Sequence, residues 1–331
     1  MKRAIVHFGL PKTGSSSLQS FLDSSVTSLS QNNIFYQPTP FSASTIHSGN
    51  GGPLFELASD GDHNPLLEAI RSLVEPLKSI SIISCELFCH LDETALTSLV
   101  SALSVHFSEI TYIGYVRDLS SYYYGEYTQS LKRHDETRSF LEFVKENRLT
   151  AYSFPKRLRA LVRESDRICL RAYTSGLGFC IISDFLEFLE IPDLLPPCSR
   201  LNLNRSLTPF ESQIFRFLNF QRKLSNLATI NSKDLSDLYL QIHQDALDSA
   251  PIVSHQILNI IYERHGEDIE FIEALLPPHS GLGSLDQEKA RIDALARDSM
   301  SELDGLLLEK VESQNVRSLM HIYEAYKMLL S

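Results

Sequence analysis

The sequence predicts an α/β protein: a three-layer core with a central parallel sheet over residues 1–207, followed by a helical extension over 208–331. Short apolar runs of strand length alternate with longer stretches of helical periodicity as far as Tyr173. The first run breaks into Gly9-Leu10-Pro11 before a helical stretch, the form of a strand, loop and helix. From about Leu201 onward only helical periodicity remains.

The elements follow in order. Ala4–Phe8 is apolar and reads as a buried strand. Ser15–Leu22 carries apolar residues at 18, 21 and 22, which is helical spacing, and Ser16 with Gln19 has the form of a capping box. Residues 37–65 contain Pro38, Pro40, Pro53, Pro65 and Gly49-Asn50-Gly51-Gly52, so they are expected to form a long irregular segment, a lid or binding loop. Helices are then predicted over Pro65–Lys78, Thr94–Phe107 and Leu119–Arg133, with strands over Ile80–Ser84, Ile110–Val116 and Arg167–Tyr173. In the tail, Phe210–Leu227, Leu235–Leu247, Val253–His265 and Leu285–Val311 read as helices, with a loop over Pro277–Gly283. Ligands of parallel sheets bind at the carboxyl ends of the strands, which directs attention to 9–17, 84–90 and 117–127.

Composition narrows the function. A formal net charge of −11 argues against a non-specific grip on nucleic acid, which needs excess Lys and Arg. Ala4–Leu10 is too short for the apolar stretch of a signal peptide, and no run reaches membrane-spanning length, so a cytoplasmic chain is expected. Cys85, Cys89, Cys169, Cys180 and Cys198 are odd in number and include no CxxC pair, which fits reduced thiols. Cys85, Cys89 and His90 lack the paired spacing of a zinc site, and no metal is expected.

Gly9-Leu10-Pro11-Lys12-Thr13-Gly14-Ser15-Ser16-Ser17 is built as a P-loop-like anion cradle. Amides at a helix start and the helix dipole attract an anion, the serines add hydroxyl donors, and Lys12 adds a full charge. The Walker A pattern requires a lysine directly after its second glycine. Here Ser15 stands there and the lysine has moved back to position 12, which suits a shorter anion than a nucleoside triphosphate. The bland alternative is a Gly-Pro turn ahead of a Ser-rich helix cap.

Residues 11–19, P-K-T-G-S-S-S-L-Q, resemble the 5′-phosphosulfate loop of sulfotransferases that use 3′-phosphoadenosine 5′-phosphosulfate (PAPS), especially the bacterial and carbohydrate-type branch. The resemblance implies that Pro11, Lys12, Thr13, Gly14, Ser15, Ser16 and Ser17 bind the phosphosulfate. It also implies that Arg117, which closes the third strand, binds the 3′-phosphate of the cofactor. The family usually has a serine eight residues later, where this chain has Gly125; Ser120, Ser121 and the Gly125 backbone are the candidate substitutes. Arg205, in Asn202–Leu207, is a further candidate contact. The likeness covers about 4–130, weakens to 207 and is absent beyond.

Glu86 follows the strand between the two cofactor motifs, where the family carries its general base, and partial burial would tune a carboxylate for that task. Its structural alternatives are a helix start or a partner for Lys12. His47, in the Gly-rich loop, and His90 are rival bases. The expected reaction is in-line, metal-independent transfer of a sulfuryl group to a hydroxyl or amine of a small-molecule or carbohydrate acceptor. The alternatives are an ATP-dependent kinase of the P-loop class and an inactive protein that binds PAPS or adenosine 3′,5′-bisphosphate.

Overall fold

The computed structural model describes residues 2–38, 49–74, 77–146, 154–165, 167–173, 179–194, 206–225, 232–242 and 253–277. His47, Cys198, Arg205 and the helix expected over Leu285–Val311 lie outside them.

Five strands, Arg3–Gly9 (β1), Ile34–Phe35 (β2), Ile80–Ser84 (β3), Glu109–Val116 (β4) and Ile168–Ala172 (β5), form one all-parallel sheet in the order β2-β3-β1-β4-β5. In the register of the central strand, His7 stands beside Ser84 on one side and Ile113 on the other. The helices are Ser15–Ser24 (α1), Val26–Gln31 (α2), Gly52–Asp60 (α3), His63–Ser72 (α4), Glu93–His106 (α5), Leu119–Arg133 (α6), Phe140–Glu146 (α7), Phe154–Glu164 (α8), Ile181–Phe188 (α9), Pro209–Ser225 (α10), Ser232–Ile242 (α11) and His255–Leu275 (α12). None of them is long and apolar enough to cross a membrane.

β1 is buried along both faces, as a central parallel strand must be. Ile5 joins Ile82, Ile113 and Tyr115 in a cluster with Leu18 and Leu22 of α1 and Phe185 and Leu186 of α9. Its alternate residues, Val6 and Phe8, line one small cavity together with Tyr112 of β4, Leu96 and Leu99 of α5 and Leu161 of α8. Leu18 and Leu22 are fully buried; burial of that kind contributes about 1.5–3 kcal/mol per side chain.

The described residues divide into two compact units. One takes the residues up to Arg117, those within 150–201 and those from Glu267; the other takes those within 118–149 and 202–266. This grouping differs from the expected division at 207, because α6 goes with the later helices. The cause is direct contact, since Tyr124 and Ser212 share a hydrogen bond of 2.9 Å and Asn219 Nδ2 donates to the Leu131 carbonyl at 2.9 Å.

Three further expectations change. Residues 37–65 are not irregular throughout, because α3 begins at Gly52 and α4 at His63. Pro53 sits at the start of α3, where its missing N–H costs nothing. The helix expected to end at His265 runs on to Leu275. Gly266 lies inside it with open space around its α-carbon, a site where glycine costs about 1 kcal/mol without ending the helix. Finally, Ser16 and Gln19 form no capping box. Gly14 is the N-cap and carries no side-chain cap, while Gln19 turns inward and donates to Ser84 Oγ.

Candidate functional site

The first loop is shaped by two left-handed residues, Lys12 (φ 68°) and Gly14 (φ 84°). Gly14 suits this conformation; a Cβ there would also come within 3.2 Å of Ile181 and Tyr173. A lysine held in the left-handed region costs about 1–3 kcal/mol, the kind of strain that collects at functional sites. Thr13 Oγ1 donates to the Leu10 carbonyl at 2.7 Å and closes the turn. α1 then starts at Ser15, so its first amides have no acceptor within the helix, and its dipole is positive at this end. Ser15 is buried, and its Oγ has no well-aligned partner among the described residues. Ser17 is half-buried and Ser16 is exposed.

Glu86 reaches the same place from β3. The Cys85 amide donates to the His7 carbonyl at 2.9 Å, extending the β3–β1 pairing by one residue. Glu86 then begins a short 3₁₀ turn, Glu86–His90. Burial pushes its carboxyl above the ordinary carboxylate range, while the Lys12 ammonium and the nearby Ser15 hydroxyl pull it back by favouring the charged form. Glu86 thus stands at the start of a short helical turn and within electrostatic reach of Lys12. The neighbouring Cys85 thiol is pushed up to about 12 by burial and stays protonated. Among the described residues no disulfide forms and no group of three metal-ligating side chains assembles.

Arg117 follows β4 and turns toward the loop. Its Nη1 donates to the Lys12 carbonyl at 2.8 Å, and its guanidinium lies 5.5 Å from the centre of the Tyr173 ring. Lys12, Ser15, Glu86 and Arg117 are therefore brought together. In the second unit, Ser120 and Ser121 belong to the cap of α6. Asp118 Oδ1 accepts from the Ser121 amide at 2.8 Å and from Ser120 Oγ at 2.5 Å. The Ser120 hydroxyl thus has a local structural partner. Gly125 lies within α6, and its carbonyl accepts from Thr128 Oγ1 at 3.1 Å. Tyr122, Tyr123, Tyr124 and Tyr127 are buried, as core or wall residues should be.

Sequence reading missed the polar residues beneath the loop: His7, Gln19, Asn50 and Ser84. The available signal was a histidine inside the apolar run Ala4–Phe8. His7 is completely buried, and its Nδ1 lies 2.8 Å from Ser84 Oγ. Burial lowers its pKa from 6.5 to about 4. Between those values the unfolded chain takes up a proton that the folded chain refuses, so stability is fully present above the unfolded value and is lost as pH falls toward the folded one. The loss expected by about pH 4.5 is about 2–3 kcal/mol. Urea unfolding at about pH 7 and about pH 4.5 checks this: His7→Gln should shrink the acid-dependent loss by that amount, and an equal loss in both proteins contradicts it.

No protein-family model, curated protein or solved structure matches the chain.

Proposed function

We propose that this chain is a PAPS-dependent sulfotransferase with a P-loop-like, three-layer core, moving a sulfuryl group to a hydroxyl or amine of a small-molecule or carbohydrate acceptor. The observation that carries the reading is the meeting of Lys12, Ser15 and a partly buried Glu86 at one strand–loop–helix turn, with Arg117 bonded to the same loop. A cytoplasmic setting is part of the proposal and rests on the odd number and irregular spacing of the five cysteines.

The residues fit the cofactor. The buried Ser15 hydroxyl without an aligned partner, the helix start and Lys12 make a cradle for one phosphosulfate. When bound, PAPS supplies the sulfuryl group and a phosphate as leaving group. Lys12 and the first amides of α1 stabilise negative charge on the leaving oxygen, and the hydroxyls of Ser15 and Ser17 help to orient it. The Glu86 carboxylate, whose charged form Lys12 favours against the cost of burial, accepts the acceptor's proton on an Oε. Arg117 holds the 3′-phosphate by charge-assisted hydrogen bonds.

A second reading, an ATP-dependent kinase, has one observation in its favour: Glu86 lies two residues past β3, which neighbours the strand of the phosphate loop. In that reading the carboxylate would serve a magnesium ion. Ser15, standing where the Walker A lysine is required, weighs against it.

The test is release of adenosine 3′,5′-bisphosphate from PAPS with a panel of hydroxyl- and amine-bearing acceptors. Acceptor-dependent release is expected; binding without release would leave an inactive cofactor-binding protein. In the same assay, Arg117→Ala should weaken cofactor affinity by roughly 10- to 150-fold and change saturated turnover far less, because the 3′-phosphate is remote from the reacting sulfur. Unchanged affinity with a reduced maximal rate would remove Arg117 from this role.

A further inference from the structure

The Ser84 hydroxyl is a joint between three elements. His7 Nδ1 of β1 lies 2.8 Å from it, and Gln19 of α1 donates to it from Nε2 at 3.3 Å. Asn50 fixes the backbone around it: its Oδ1 accepts from the Ser84 amide at 2.7 Å, and its Nδ2 donates to the Ile82 carbonyl at 2.9 Å. Gly51 adds a bond from its amide to the Ser84 carbonyl at 3.0 Å. Gly49 allows the close approach, since a Cβ there would lie 2.2 Å from that carbonyl oxygen. The edge of β3 beyond β2 is thus held by a strap rather than a strand, two residues before Glu86. The His7 ring is fixed edge-on against Tyr115 and Phe185, with centroids 5.9 and 6.2 Å away.

As a purely stabilising feature this cluster is a poor choice. His7 Nε2 and Gln19 Oε1 are buried with no hydrogen-bond partner among the described residues. Each such group costs about 1–3 kcal/mol, which apolar side chains of the same shape would avoid. Buried groups left in that state call for a role other than stability.

We propose that His7, Ser84 and Gln19 are positioning residues, a neutral hydrogen-bonded brace that fixes the end of β3 so that the Glu86 carboxylate stays within electrostatic reach of the Lys12 ammonium. The inference rests on reading Lys12 and Glu86 as the working pair of the proposed function. The burial that keeps His7 uncharged keeps the brace from adding a competing cation. The titratable groups facing Glu86 are Lys12 from the loop and the Cys85 and Cys89 thiols, both held protonated by burial.

The experiment is a carbon-13 NMR titration of the Glu86 carboxyl in the full chain, with and without Lys12→Met. Removing the ammonium is expected to raise the Glu86 midpoint by about one to three pH units in the parent. In a Ser84→Ala background the rise is expected to be less than half as large, because the carboxylate is no longer held within reach of Lys12. Gln19→Met guards against misfolding of Ser84→Ala: it deletes an unpartnered buried carbonyl together with the bond to Ser84, so the fold is kept. It is expected to weaken the Lys12 effect in the same direction and to a smaller degree. Equal Lys12→Met shifts in all backgrounds, or no shift in the parent, overturn the proposal. The readout needs no turnover, so a chain that releases no adenosine 3′,5′-bisphosphate from PAPS would remove the sulfotransferase reading and leave this result standing.

Discussion

Glu86→Gln is expected to bind adenosine 3′,5′-bisphosphate as the parent does and to turn over about 10²- to 10⁴-fold more slowly. The amide keeps the shape and most of the hydrogen bonding of the carboxylate but cannot take the acceptor's proton. Only the ionised form works as a base, so activity falls as pH drops through the Glu86 pKa. Burial raises that pKa above the ordinary carboxylate range, and Lys12 and Ser15 limit the rise. The acid limb of the parent profile should therefore lie above the usual carboxylate range and be missing from the variant. His47→Ala is the control. If that substitution, rather than Glu86→Gln, abolishes turnover and the acid limb, the base belongs to the loop and Glu86 is a structural neighbour of Lys12.

Lys12→Ala is expected to reduce turnover by about two to three orders of magnitude, the cost of losing one preorganised donor to a developing anion. Two observations separate this effect from misfolding. The Arg117 bond is made to the Lys12 carbonyl, which alanine retains. The left-handed φ of 68° is already strained for lysine, and alanine adds no new clash. Lys12→Gly should lose the same activity while gaining about 1 kcal/mol of stability in denaturant unfolding, since glycine accepts that conformation freely. With the ammonium gone, the residual acid limb should also move to higher pH. Turnover near the parent rate in either variant would mean that the loop does not serve the transferring group.

Four of the five strands were legible as apolar runs bounded by turn residues, Ile80–Ser84 matching β3 residue for residue, as the helix Leu119–Arg133 matches α6, whereas β2, only Ile34–Phe35, is too short to carry a periodic signal. The misses have local causes. Gly-Asn-Gly-Gly at 49–52 reads as flexible, yet Gly49 is required by its contact with the Ser84 carbonyl and Asn50 completes a strand edge. Proline and glycine signals cannot distinguish a loose loop from a strap seated on β3. A capping box stands instead at Thr208, two residues ahead of the predicted helix start at Phe210. The Thr208 amide donates to Glu211 at 2.7 Å and the Glu211 amide donates to Thr208 Oγ1 at 3.2 Å. In the site, the order of motifs sufficed to bring Lys12, Glu86 and Arg117 together, because strand ends of a parallel sheet converge on one edge. It could not reveal that Ser120 serves the cap of α6, since a hydroxyl's partner depends on side-chain geometry.

The central claim is that the loop and Arg117 receive a nucleotide bearing two separate anions, and calorimetry tests it most directly. Adenosine 3′,5′-bisphosphate and ADP carry the same base and sugar but divide their phosphates differently. A dedicated 3′-phosphate contact is expected to make adenosine 3′,5′-bisphosphate the tighter ligand by roughly 10- to 150-fold, with no requirement for magnesium. Equal affinities, or tighter binding of ADP in the presence of magnesium, would contradict the sulfotransferase account.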